Sequence, residues 1–184
     1  MTYREQVREI ALDQYGLVST ADAAAADIPA VELRKLASRG ALDRVGRGVY
    51  RDPSVPGTMR DQYAQAVLLV GPDAYLTGES VLALHDLALV NPTHILVGTP
   101  HRVRTRLPPV VRAVRRELPP EAVTAYEGIP STTVFQAIDD CMATVVSERL
   151  RDAIAEAGHQ GLITSREQAV LRARLSRRYR RMGA

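Results

Sequence analysis

The 184-residue chain is 46% apolar and 24% charged, carries a formal net charge of +3 and contains one cysteine. This is the composition of a globular protein long enough for one large or two small cores, and no apolar run approaches the ~20 residues a membrane span needs. Cys141 has no partner for an internal disulfide, and Met1 to Glu5 is followed by no apolar stretch that could act as a signal peptide, so a reducing, cytoplasmic setting is expected.

A first helix is predicted over residues 2–15, with Tyr3, Val7, Ile10 and Ala11 on one face and Gly16 ending it. Leu17 to Arg51 then reads as a helix-turn-helix followed by a small basic β-wing. Ser19 stands three residues before Asp22, a capping-box spacing that opens a short alanine-rich helix over 20–26. Ala23 is small where two helices must cross, and Asp27 fills a turn position that favours positive φ, at a cost of about 1 kcal/mol for a residue other than glycine. Pro29 suits the first turn of the third helix, where its missing N–H costs nothing. In that helix Leu33, Leu36 and Ala37 point inward, Val31, Arg34, Lys35 and Ser38 share the opposite face, and Gly40 closes it. Leu42 and Val45 alternate with charged residues, and Gly46-Arg47-Gly48 permits a sharp hairpin with Arg47 at its tip; Tyr50 is expected to pack beneath it.

Charge follows the same division. Over residues 29–51, Arg34, Lys35, Arg39, Arg44, Arg47 and Arg51 oppose only Glu32 and Asp43, a net charge of +4, whereas residues 1–28 carry −3. Phosphate binding favours such a placement, because each neutralised phosphate releases condensed counterions. Further basic segments run from Arg102 to Arg116 and from Arg166 to Arg181.

Asp52-Pro53-Ser54-Val55-Pro56-Gly57 breaks the pattern and marks the expected boundary between a domain over 1–57 and one over 58–184. Beyond it the predicted elements are a helix over 59–70, a strand over 73–76, a helix over 78–87 capped by Thr77, and a turn at Asn91-Pro92. Strands over 94–99, 110–118 and 124–126 follow, and then helices over 133–143, 147–157 and 165–181, the last opened by the Thr164…Glu167 capping spacing. The fold class expected is therefore mixed α/β (α+β), an N-terminal winged helix-turn-helix followed by a mixed α/β C-terminal domain.

No catalytic constellation stands out. His85, His94, His101 and His159 lack zinc-site spacing, and there is neither a phosphate-binding loop nor a dinucleotide fingerprint, so no metal or cofactor is expected. A restriction-type nuclease site needs an acidic pair with a nearby lysine, and the one lysine, Lys35, lies in the predicted recognition helix. Asp139 and Asp140 point about 100° apart on a helix and read as a solvated face. Thr77-Gly78-Glu79-Ser80 with His85 can be drawn as nucleophile and base, but a capped helix start is the simpler account. Cys141 reads as a small buried hydrophobe.

Taken together, Gly16-Leu17-Val18-Ser19, Leu36 to Leu42 and Arg44-Val45-Gly46-Arg47-Gly48-Val49-Tyr50 resemble the AbiEi-type antitoxins of bacterial abortive-infection, or type IV toxin–antitoxin, systems. Thr77 to Leu87 and Gly128 to Thr133, with Asp139 and Asp140, are similar to later markers of that family, although Asp27 departs from the glycine usual in the turn. The resemblance implies an autorepressor that binds inverted repeats in double-stranded operator DNA and counteracts a nucleotidyltransferase-like toxin; an inverted repeat calls for two copies bound with two-fold symmetry, a homodimer on the DNA, and with no catalytic constellation no enzymatic activity is expected. It places the DNA contacts on Arg34, Lys35, Ser38, Arg44 and Arg47, with Arg39 beside them on the same basic surface. The alternatives are a protein-interaction module whose winged helix docks on a partner protein, or an enzyme that modifies the toxin.

Overall fold

The structure is a computed structural model that describes residues 1–87, 90 and 92–182, the side chains of 179–182 excepted. Its contacts divide the chain into two units, Met1–Pro72 with Arg104–Leu107, and Asp73–Val103 with Pro108–Ala184.

In the first unit, helix α1 (Tyr3–Asp13) opens with a capping box: the Thr2 hydroxyl accepts from the Glu5 N–H, and the Glu5 carboxylate accepts from the Thr2 N–H. Strand β1 (Leu17–Ser19) follows, an element with no counterpart in the sequence prediction. Three residues are too short for an alternation signal, and β1 exists through its antiparallel pairing with strand β3 (Val49–Arg51), more than thirty residues later. Helix α2 (Thr20–Ala25) carries the predicted Ser19–Asp22 capping box. Asp27 sits at φ 56° in the turn, as its position required. Helix α3 (Ala30–Ser38) starts one residue later than expected, so Pro29 is its N-cap with extended backbone. It ends where the Gly40 and Ala41 N–H groups donate to the Ala37 and Leu36 carbonyls.

Strand β2 (Asp43–Gly46) and β3 form the wing hairpin, and β3 is the middle of a three-stranded antiparallel sheet in the order β1-β3-β2. Val7, Val18, Ala23, Ile28, Leu33, Leu42 and Tyr50 form one buried cluster, with Ile10, Leu36 and Ala37 packed against it. Helices and wing thus share a single core, and Tyr50 lies beneath the wing as expected.

This unit continues past Gly57. The Asp52 N–H donates to the Gly16 carbonyl at 2.8 Å, and Arg51 pairs with Asp61 at 2.7 Å at the start of helix α4 (Asp61–Val70). Composition marks residues 52–57 as a linker, yet Asp52 accepts from the Ser54 N–H and hydroxyl within it, and just beyond it Asp61 accepts from the Thr58 N–H and hydroxyl.

The second unit is built on a five-stranded mixed sheet, order β6-β5-β4-β8-β7, made by β4 (Tyr75–Leu76), β5 (Ile95–Thr99), β6 (Val111–Arg115), β7 (Val123–Tyr126) and β8 (Ile129–Thr132). β5 and β6, and β4 and β8, run parallel, and the other neighbours are antiparallel. Helices α5 (Glu79–Leu84), α6 (Val134–Asp140), α7 (Ser147–His159) and α8 (Ser165–Met182) complete it, with Leu76, Leu82, Ile138, Leu150, Ile154 and Leu171 fully buried. The chain is thus mixed α/β, as its sequence predicted.

Several local expectations are corrected. β8 has no counterpart among the predicted strands, and proline disfavours an interior strand; β8 pairs with β4 at Ser131 alone, so Pro130 lies outside that ladder. Thr77 does not cap α5: Gly78 holds the N-cap position, and the Thr77 hydroxyl donates to Asp140 at 3.1 Å. Nor are Asp139 and Asp140 a solvated face, since Asp139 pairs with Arg174 at 2.6 Å and Asp140 with Arg116 at 2.8 Å. The turn expected at Asn91-Pro92 lies outside the described residues at Asn91.

Candidate nucleic-acid interface

The exposed surface of α3 follows from the way its inner face is held. Leu33 is fully buried, with Leu36 and Ala37 partly so, and at about 100° per residue this turns Val31, Lys35 and Ser38 to the opposite side, with Arg34 and Arg39 on its two flanks. The wing is equally constrained. A Cβ at Gly46 would overlap the Leu69 side chain of α4, so the strand passes against that helix only because the position is glycine. Gly48 has φ +72°, and a Cβ there would stand 2.9 Å from the Thr20 hydroxyl. Its carbonyl accepts from the Thr20 N–H at 2.8 Å, which ties the hairpin tip to the first residue of α2. Between these two glycines Arg47 projects into solvent.

Of the six candidate residues, Arg34, Arg44 and Arg47 line one open cleft of about 490 Å³, together with Thr20, Gly48 and Tyr50. An α3 side chain and two wing side chains that the sequence separates by ten residues or more thus converge. Lys35, Ser38 and Arg39 are exposed but line no part of this cleft. Lys35 holds Glu32 at 2.8 Å one turn earlier, and the Ser38 hydroxyl donates to the Lys35 carbonyl. Arg44 reaches the Gly46 carbonyl at 3.4 Å, while the side chains of Arg34, Arg39 and Arg47 have no hydrogen bond or ion pair among the described residues. An exposed guanidinium without an internal partner meets a phosphate or a base edge without first giving up a bond.

Arg51, counted in the same basic stretch, belongs elsewhere. It pairs with Asp61 and donates to the Tyr15 carbonyl, and so serves the scaffold. Burial works to raise the Asp61 carboxyl, but the bonds from Thr58 and Arg51 outweigh it and hold the group below its ordinary value of 3.8.

The Ser80 hydroxyl accepts from the Leu96 N–H at 2.7 Å, and His85 faces the Tyr126 ring with centroids 4.1 Å apart. Asp140 is occupied by Thr77, Arg116 and Gln136. Burial, then the charges of Glu79 and Asp140, push the Cys141 thiol up to about 12. Among the described residues no group of three or more His, Cys, Asp or Glu could hold a metal ion, and no helix is long and apolar enough to cross a membrane.

Residues 5–51 match the family model of transcriptional regulators described as AbiEi antitoxin. The matched stretch runs from α1 to the end of β3, so it contains the whole helix-turn-helix and wing, and over it the resemblance read from the sequence motifs holds. No curated protein matches the chain.

Proposed function

We propose that this protein is a DNA-binding autorepressor and the antitoxin of a type IV toxin–antitoxin pair. In this reading the first unit grips double-stranded operator DNA. α3 enters the major groove, where Arg34 reaches a base edge and Lys35, Ser38 and Arg39 engage edges or flanking phosphates. Arg44 and Arg47 contact phosphate or the adjoining minor groove. The observation that carries it is the convergence of Arg34, Arg44 and Arg47 on one cleft, inside the segment that matches the regulator family. Inverted repeats in the operator call for two copies bound with two-fold symmetry. The nucleotidyltransferase-like toxin belongs to the proposal through the family resemblance, and the second unit is assigned to antitoxin action by the same route.

The test is fluorescence-anisotropy binding of the full chain to the DNA upstream of its own gene, against a scrambled duplex, over a series of salt concentrations. Wild-type protein should prefer the upstream DNA by roughly a thousandfold or more. Arg47→Ala should weaken binding to both duplexes and lower the salt slope by about one, the mark of a lost phosphate contact. Arg34→Ala should weaken the specific complex more than the nonspecific one. Equal, weak binding to both duplexes would sink the repressor reading and favour a winged helix that docks on a partner protein.

A further inference from the structure

The exposed face of α3 is polar except for Val31, which is 41% exposed at the second residue of the helix. Its neighbours Pro29 and Ala30 are themselves exposed, and part of the valine surface stays open to solvent. An exposed valine is unremarkable on most helices. This one occupies the first turn, the part of a recognition helix that meets base edges. It also stands one turn ahead of Arg34 and Lys35, at the i+3 and i+4 spacings that put side chains side by side. A β-branched side chain has essentially one χ1 rotamer in a helix, so the direction of those methyls is set by the backbone and little freedom is lost on contact.

In the major groove the one apolar feature among the base edges is the thymine C5 methyl. We infer that Val31 reads a thymine by methyl contact, beside the base pair that Arg34 contacts. The inference rests on the DNA-reading function proposed above. Side chains at i and i+3 stand about 5–6 Å apart at Cβ, against a rise of about 3.4 Å per base pair. The thymine therefore lies one or two base pairs from the Arg34 contact. Burying one methyl group changes the binding constant roughly fourfold.

The experiment selects binding sites from a pool of random duplexes with the full-length protein. Each thymine of the selected site is then replaced by deoxyuridine, which removes only the methyl group. Expected is one thymine per half-site where deoxyuridine weakens wild-type binding roughly fourfold and leaves Val31→Ala unaffected, one or two base pairs from the position whose preference Arg34→Ala relaxes. Val31 is exposed and alanine is the better helix former, so the variant keeps its fold. A specific site at which no thymine behaves this way, or at which Val31→Ala retains the full penalty, overturns the inference and leaves DNA reading intact. A pool from which no preferred sequence emerges overturns both.

Discussion

Replacing Gly48 with alanine separates two demands that the wing tip makes of one residue. The backbone stands at φ +72°, where an L side chain costs about 1–2 kcal/mol. The new Cβ would also press on the Thr20 hydroxyl at 2.9 Å, against a residue whose N–H donates to the Gly48 carbonyl. Alanine returns about 0.4–1 kcal/mol by restricting the unfolded chain. The torsional balance is a loss of up to about 1.6 kcal/mol from the first unit, and the Thr20 contact adds to it. Hydrogen exchange of the Val49, Tyr50 and Arg51 amides in the full chain is the appropriate assay. β3 is the central strand of its sheet, so those amides report opening of the whole unit. Protection should fall by roughly tenfold, since each factor of ten corresponds to about 1.4 kcal/mol. In a Thr20→Ala background the steric share vanishes and the torsional share remains, so most of the loss should persist. A fall of less than twofold, or complete rescue by Thr20→Ala, would refute the assignment of the cost to the left-handed backbone.

Two further outcomes follow from the titratable groups. Because the folded carboxyl of Asp61 titrates below its ordinary 3.8, its contribution to stability is fully present above that value and is lost as pH falls through the lower folded one. Asp61→Asn should therefore cost about 1–2 kcal/mol at pH 7 and flatten the acid side of the stability curve, as followed by β3 amide exchange; an unchanged acid limb would contradict this. Cys141, buried and held to a thiol pKa of about 12, should resist iodoacetamide at neutral pH and react only through opening of the second unit. Alkylation of native protein as fast as of denatured protein would show that the site is not closed.

What could be read from the sequence was mostly local chemistry. The Ser19–Asp22 and Thr164–Glu167 boxes, the positive φ of Asp27 and the Arg47 hairpin each depend on residues within about four positions, and all are present as read. What escaped depends on distant partners. β1 needs β3, Asp140 needs Arg116 and Thr77, and Arg51 needs Asp61, which keeps α4 with the first unit. Gly46 shows the difference well: its place in a hairpin was legible, whereas its necessity comes from Leu69, twenty-three residues on. For the interface, the helical period singled out the exposed face of α3. That Arg34 shares a cleft with Arg44 and Arg47 while Lys35 stays with Glu32 is a matter of tertiary placement.

In the proposed DNA-reading role, the bond from Thr20 to the Gly48 carbonyl sets how this unit meets a duplex. The wing tip is fastened to α2, α2 packs on α3, and β3 is pinned from both sides, so the two basic prongs behave as the jaws of a fixed caliper rather than as independent arms. The backbone ordering entropy of the prongs is settled during folding, which leaves only their exposed side chains to be ordered on association. A gauge of fixed span cannot accommodate grooves of different width by flexing. The adjustment falls to the DNA, whose readiness to widen, narrow or bend depends on base steps that no side chain touches. Sequence preference should accordingly extend beyond the contacted bases, to positions that report only the stiffness of the duplex between the jaws.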